Sequence, residues 1–229
     1  MNLAIIPARG GSKRIPRKNI KDFCGKPIIA YSIETAIKSG LFDKVIVSTD
    51  DEEIAEVARS YGAEVPFMRP KELADDYSTT TDVIQHAISR FIDAGLKINN
   101  VCCIYATAPF IQSKYLKKGR ELIQQKGIEF AFSVTTYAFP IQRAIKLADD
   151  GSVSMFNPEY EQVRSQDLEE AYHDAGQFYW GSKSAFLNKK SIFSPHSQAV
   201  LIPRTSVQDI DNNDDWKFAE ALFSLRKRS

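Results

Sequence analysis

The sequence predicts an α/β protein: a mostly parallel sheet with helices on both faces. Three observations carry this. Short, almost wholly apolar runs, the pattern of strands buried on both sides, alternate with longer segments of helical periodicity. Glycines close the helical patterns, at Gly40, Gly62 and Gly95. Strand–helix–strand alternation in turn calls for right-handed crossovers between parallel neighbours.

The first run, Leu3-Ala4-Ile5-Ile6, breaks at Pro7 into a loop. Pro27 suits the first turn of a helix on which Ile29, Ile33, Ala36 and Ile37 share a face. Residues 44–50 read as a second buried strand closing on polar residues. Asp50-Asp51-Glu52-Glu53 then opens a helix, where negative charge suits the positive end of the backbone dipole. Residues 63–68 read as a short third strand, followed by a polar loop through Asp75, Asp76 and Tyr77. Ser78-Thr79-Thr80-Thr81-Asp82 offers N-caps to a helix carrying Val83, Ile84, Ala87, Ile88 and Phe91. Val101-Cys102-Cys103-Ile104-Tyr105 is a fourth strand, residues 113–125 a helix and residues 130–136 a strand. Between about residues 137 and 179 the alternation fails. Charge, turn formers and only short strand candidates there predict either surface loops or an excursion packing on a second subunit or a substrate. Order returns with Gln177-Phe178-Tyr179-Trp180, a helix near residues 182–188, a strand at 199–202 and a C-terminal helix carrying Trp216, Ala219, Leu222 and Phe223. Residues 1–229 read as a single domain.

Composition excludes several classes. A formal net charge of +1 over 229 residues argues against a general nucleic-acid binder. No apolar run approaches the ~18–20 residues that cross a bilayer. Pro7 and Arg9 interrupt any cleavable signal pattern, so the cytoplasm is the expected compartment. Cys24, Cys102 and Cys103 show no C-x-x-C spacing, and His86, His173 and His196 are too scattered for zinc.

Chemistry concentrates near the two ends of the chain. Ala8-Arg9-Gly10-Gly11-Ser12-Lys13-Arg14-Ile15-Pro16-Arg17-Lys18-Asn19 combines paired glycines with five basic residues. Gly10 and Gly11 allow a tight turn and let amide groups approach an anion closely. The run matches neither G-x-x-x-x-G-K-[ST] nor G-x-G-x-x-G, and a solvated basic loop is the alternative. Its place directly after an N-terminal strand, where open α/β sheets put ligands, favours a polyphosphate. Near the other end, Asp209 and Asp211 flank Ile210, so an extended backbone sets both carboxylates on one side. Such a pair suits Mg²⁺ beside nucleotide phosphates. The alternative is a capping region, since Asp211-Asn212-Asn213-Asp214-Asp215 offers several caps to the last helix. His173-Asp174 does not establish a pair, and without a G-x-S-x-G elbow hydrolase chemistry is unsupported. The run from Tyr172 to Trp180 mixes aromatic and hydrogen-bonding groups as a sugar site would; an aromatic core strand is the alternative.

Taken together, the residues resemble the CMP-sugar synthetases, the cytidylyltransferases that activate nonulosonic acids. The motifs are Ile6-Pro7-Ala8-Arg9-Gly10-Gly11-Ser12-Lys13 continuing to Pro16-Arg17-Lys18-Asn19-Ile20, Val47-Ser48-Thr49-Asp50, Arg69-Pro70 with Glu72-Leu73-Ala74, Ala106-Thr107-Ala108-Pro109, Arg164-Ser165-Gln166 and Asp209-Ile210-Asp211, in family order. The resemblance implies a Rossmann-like nucleotide-diphospho-sugar transferase fold with a dimerisation excursion at about residues 137–179. It implies that CTP and a sugar acid give CMP-sugar and pyrophosphate, with Mg²⁺. By the same resemblance Ala8, Arg9, Gly10, Gly11, Ser12, Lys13, Lys18, Asn19 and Arg69 bind the nucleotide, Asn19 meeting the base. Asp209 and Asp211 bind the metal and complete a catalytic set with Arg9 and Lys18. Tyr105, Arg164, Gln166, His173, Gln177 and Tyr179 are implied for the sugar, with His173 also a candidate general base. Implied partners are CTP, a nonulosonic acid and a second copy of the chain, without nucleic acid or membrane. The sialic acid branch commonly has Arg-Pro-Asn-Gly where this chain has His173-Asp174-Ala175-Gly176, and a glutamine where it has Tyr105. Here the chain resembles instead the pseudaminic acid cytidylyltransferases, so pseudaminic acid is the expected sugar. Sialic, legionaminic and 3-deoxy-octulosonic acids are rivals, and a non-catalytic CTP-binding protein is a more distant one.

Overall fold

The computed structural model describes residues 1–75 and 77–226; Asp76, part of the predicted polar loop, lies outside the described residues. The first half comprises β1 (Asn2–Pro7), a small hairpin of β2 (Asp22–Phe23) and β3 (Lys26–Pro27), α1 (Ile28–Ser39), β4 (Lys44–Ser48), α2 (Glu52–Ser60), α3 (Thr80–Asp93) and β5 (Asn100–Ile104). The second half comprises α4 (Ser113–Leu122), β6 (Phe130–Thr136), β7 (Ile145–Leu147), β8 (Val153–Met155), β9 (Tyr172–Ser182), α5 (Lys183–Leu187), β10 (Ser197–Leu201) and α6 (Asn213–Arg226). Six strands form the central sheet in the order β10-β6-β9-β5-β1-β4. β1 is parallel to β4 and β5, and β6 to β10; β9 alone runs against its neighbours, β5 and β6. The predicted α/β architecture is therefore present, with one antiparallel strand in its centre.

Alternation along the strands builds a core on each face of the sheet. Ala4, Ile6, Cys102, Ile104, Phe178 and Trp180 pack under α1, α2 and α4. Leu3, Ile5, Val101, Cys103 and Tyr179 pack under α3 and α5. A third cluster lies beyond the sheet, where Ile15, Phe23, Ile28, Phe110, Ile210, Trp216 and Ala219 join the opening loop to the chain's end. Phe23 meets Trp216 and Phe223 edge-on at centroid distances of 5.5 and 5.4 Å.

Two stretches differ from the sequence expectation. Residues 63–68 form only a bridge between Ile46 and Glu64, because Pro66 has no N–H to extend the ladder. The irregular segment is also shorter than predicted, since Tyr172–Ser182 is the central strand β9. Its disguise is a bulge. Phe132 faces Tyr179 while Val134 faces Asp174, so residues 175–178 stand opposite Ser133 alone. The Ser133 hydroxyl accepts from the amides of Gln177 and Phe178, both at 3.2 Å, and Gly176 takes a positive φ of 60°. What remains of the excursion holds the β7–β8 hairpin and short 3-10 turns, with Phe139, Leu147 and Val153 well exposed.

Gly119 shows how closely α4 approaches the sheet: a Cβ there would lie 2.7 Å from the Trp180 ring. Alanine is intrinsically better than glycine in a helix by about 1 kcal/mol. Overpacking should reverse that sign, so Gly119→Ala is expected to destabilise the fold by roughly 1–3 kcal/mol in urea unfolding.

Candidate active site

A cleft of about 450 Å³ opens beyond the carboxyl ends of β1 and β5, and the opening loop forms one wall of it. Arg9, Ser12, Lys13, Lys18, Asn19 and Arg69 all line it, and so does Asp211 from the far end of the chain. Two contacts join these ends. Lys18 Nζ donates to the Ile210 carbonyl at 2.7 Å, and Arg14 Nη2 meets Asp211 Oδ1 at 2.6 Å. Ile210 is buried in the third cluster; of its two acidic neighbours Asp211 lines the cleft, while Asp209 is not among the lining residues but lies near enough for its charge to reach Lys18 and Asp211.

The loop is held by its own polar groups. Gly10 N donates to Asp50 Oδ1 at 3.0 Å, Asn19 Nδ2 to the Arg9 carbonyl at 2.9 Å, and Arg9 Nη1 to the Asp75 carbonyl at 2.9 Å. Arg69 is only 5% exposed, with its amide on the Thr49 carbonyl and its guanidinium 3.5 Å from Asp50. Burial pulls its pKa down, the Asp50 charge opposes this, and its Nε has no hydrogen-bond partner among the described residues. A buried donor left over at a cleft wall calls for an acceptor on a ligand. Ala8 is buried beneath the loop and Gly11 is open to solvent. Arg17 does not line the cleft; it turns away to Asp51 and Glu53.

Charges around the carboxylates perturb one another. Desolvation lowers the Lys18 pKa, and the nearby Asp211 and Asp209 charges oppose it. The Asp209 pKa is pushed up, first by desolvation and then by the Asp211 charge. The donor set fits Mg²⁺, which takes one or two carboxylates and fills its shell with water and phosphate oxygens. A cation would relieve the repulsion between the two aspartates, and the exposed Arg14–Asp211 pair exchanges at little cost.

A smaller pocket of about 150 Å³ adjoins the cleft, sharing Thr80 and Tyr105 with it. Its polar wall is Tyr105, Tyr179 and Asp174, and its apolar wall includes Phe186, Ile192 and Phe193. Tyr179 donates its hydroxyl to Asp174 Oδ2 at 2.5 Å, while Asp174 Oδ1 accepts from Gly176 N at 2.8 Å. Burial pushes both phenol pKa values up, so they remain neutral donors at neutral pH. Asp174, not among the residues implied for the sugar, also lines this pocket; its signal in the sequence is the His173-Asp174 pair.

Of the residues implied for the sugar, Tyr105 and Tyr179 reach this pocket and the others line neither cavity within one protomer. Gln177 is 3% exposed, and its Nε2 donates to the Ser206 carbonyl at 2.6 Å. His173 Nδ1 donates to the Asp174 carbonyl at 2.9 Å, and its ring packs on Tyr137. Arg164 pairs with Asp167 at 2.7 Å on the exposed excursion, which also carries Gln166.

Comparison with known proteins follows the same lines. A family model described as cytidylyltransferase matches residues 3–213. The chain is 50% identical to the pseudaminic acid cytidylyltransferase of Campylobacter jejuni, over 100% of this chain and 98% of that protein. It is 30% identical to the CMP-N,N'-diacetyllegionaminic acid synthase of Legionella pneumophila, over 99% and 98% of the two chains. A solved CMP:2-keto-3-deoxy-manno-octonic acid synthetase complexed with CTP shares the fold, with a TM-score of 0.74 and 15% identity over 98% of this chain and 99% of that one. With a match that runs from the first strand to the carboxylate pair and into the last helix, this chain belongs to the cytidylyltransferase family.

Proposed function

We propose that this protein transfers CMP from CTP to the anomeric hydroxyl of pseudaminic acid and releases pyrophosphate. The observation that carries the reading is the joining of the basic loop to the Asp209–Asp211 segment across one cleft, continuous with an aromatic pocket that holds a single carboxylate. The identity with the Campylobacter enzyme supports the choice of sugar.

In the proposed step the sugar hydroxyl oxygen attacks the α-phosphorus in line. A new P–O bond forms, the bond to the bridging oxygen breaks with its electron pair leaving on pyrophosphate, and the hydroxyl proton passes to solvent water. Arg9, Lys13 and Lys18 spread the charge of the triphosphate, positioning and electrostatics being most of what phosphoryl-transfer sites supply. Asn19, held to the loop carbonyl, and buried Arg69 serve the nucleotide from the floor of the cleft. Mg²⁺ held by Asp209 and Asp211 would polarise the α-phosphate and lower the pKa of the attacking hydroxyl. Tyr105 and Tyr179 contact the sugar acid in the smaller pocket. Asp174 there repels the sugar's own carboxylate and turns it toward the basic cleft.

A second copy of the chain completes this reading. Exposed Phe139, Leu147 and Val153 on the excursion form an apolar surface that a partner would cover. Arg164 and Gln166 on the same excursion would then serve the partner's sugar pocket. We infer that the reaction runs where the nucleotide is, in the cytoplasm. No helix among the described residues is long and apolar enough to cross a membrane.

Incubation with CTP, Mg²⁺ and each candidate sugar acid should release pyrophosphate fastest with pseudaminic acid. Release only with another sugar acid would overturn the sugar assignment, and release with none would overturn the reaction. Asp209→Asn should lose most turnover at an unchanged melting temperature, and chelation of Mg²⁺ should stop the wild-type enzyme; near-normal activity at limiting Mg²⁺ would leave the aspartates structural. Arg9→Ala should lower kcat/KM for CTP at least about tenfold, ~1.4 kcal/mol of transition-state stabilisation. Sedimentation at micromolar concentration should show a dimer.

A further inference from the structure

Arg17 belongs to the basic run of the opening loop, yet its charge serves a neighbouring helix. Its Nη1 meets Asp51 Oδ2 at 2.5 Å, its Nη2 meets Asp51 Oδ1 at 2.8 Å, and Nη2 also meets Glu53. This bidentate fork is the strong form of an arginine–carboxylate contact. Asp51 is itself fixed, because its Oδ1 caps α2 by accepting from Ile54 N at 3.0 Å.

Two independent features show that the pair holds the loop. Arg17 has a left-handed backbone, φ 54° and ψ 29°, which a non-glycine residue keeps only when its surroundings impose it. That turn leads directly into the single-turn Lys18–Ile20 helix, from which Lys18 and Asn19 reach the cleft. At the other end of the loop, the Asp51 carboxylate presses on Gly10: a Cβ there would lie 2.7 Å from Oδ2. Both ends of the loop therefore close on one carboxylate. Arg17 holds the Asp51 pKa down to about 2, so the carboxylate is charged at any working pH.

We infer that Asp51 and Arg17 are positioning residues, a clamp that sets the loop between Gly10 and Lys18 in its nucleotide-binding shape before CTP arrives. The inference rests on the reading of this cleft as the CTP site. The clamp removes loop disorder in advance, so that binding does not have to supply the ordering. Neither residue touches the nucleotide. A direct phosphate ligand at Arg17 is the competing role, and it makes opposite predictions.

Three variants of the full chain separate the roles. Arg17→Gly keeps the left-handed turn without strain and leaves the Asp51 cap in place. Asp51→Asn keeps a capping side chain but removes the charge. The third combines both. By calorimetry with Mg²⁺ present, each single variant should weaken CTP binding about tenfold, and the double variant should be no weaker than either single, because both remove the same contact. In the ligand-free protein, amide hydrogen exchange across residues 9–18 should quicken in both single variants, while the melting temperature of Arg17→Gly stays near that of the wild type. Unchanged exchange in Arg17→Gly overturns the clamp. So do additive losses in the double variant, or an Asp51→Asn protein that holds or gains CTP affinity because Arg17 has been freed to meet phosphate. A wild-type protein that fails to bind CTP would defeat the reading of the cleft instead, and exchange would still decide the clamp.

Discussion

The site depends on one constraint: the end of the chain must return to its beginning. Lys18 and Ile210 are 192 residues apart in sequence and 2.7 Å apart at the Lys18 Nζ–carbonyl contact. A single hydrogen bond of that kind contributes only about 1 kcal/mol net and could not hold two distant segments together. The third apolar cluster does so, with Ile210, Trp216 and Ala219 buried against Ile15, Phe23 and Ile28. Burying Ile210 there also brings its neighbour Asp211 to the wall of the cleft.

The second organising element is β9. It runs antiparallel through the middle of an otherwise parallel sheet, and alternation along it contributes to both cores, with Phe178 and Trp180 on one face and Tyr179 on the other. Its bulge interrupts the ladder where Asp174 and Tyr179 line the smaller pocket. A regular strand would carry these side chains in fixed alternation. The bulge instead lets them share one hydrogen bond at the pocket wall, and the Ser133 hydroxyl satisfies the backbone amides that the irregularity frees. The smaller pocket is therefore lined from a framework strand that is paired on both sides.

Several cations of the cleft have acidic or carbonyl partners: Lys18 has the Ile210 carbonyl, Arg69 has Asp50, and Arg14 has Asp211. These contacts offset part of the repulsion among the loop's positive charges. Exposed pairs such as Arg14–Asp211 are weak and exchange easily for a ligand. The Asp50–Arg69 contact lies deeper and keeps the guanidinium in place.

The sequence by itself determined the layers and much of the site. Apolar runs and helical faces are local patterns set by backbone geometry, so β1, α1, β4, α2, α3, β5 and β6 were all legible. The paired glycines, the basic loop and the Asp209-Ile210-Asp211 alternation were legible for the same reason, each being a property of a few consecutive residues. What could not be read was anything set by partners distant in the chain. Arg17 looks like the other loop cations until Asp51 is seen to engage it. Asp174 has no evident partner in the sequence until the bulge of β9 brings it to Tyr179 at the pocket, and Gln177 looks like a polar site residue until Ser206 is seen to hold it in the core. The charge and donors of a side chain are written in its identity. Whether they meet a ligand or another part of the chain is decided by packing, since a buried polar group must find a partner and the fold chooses which one lies within reach.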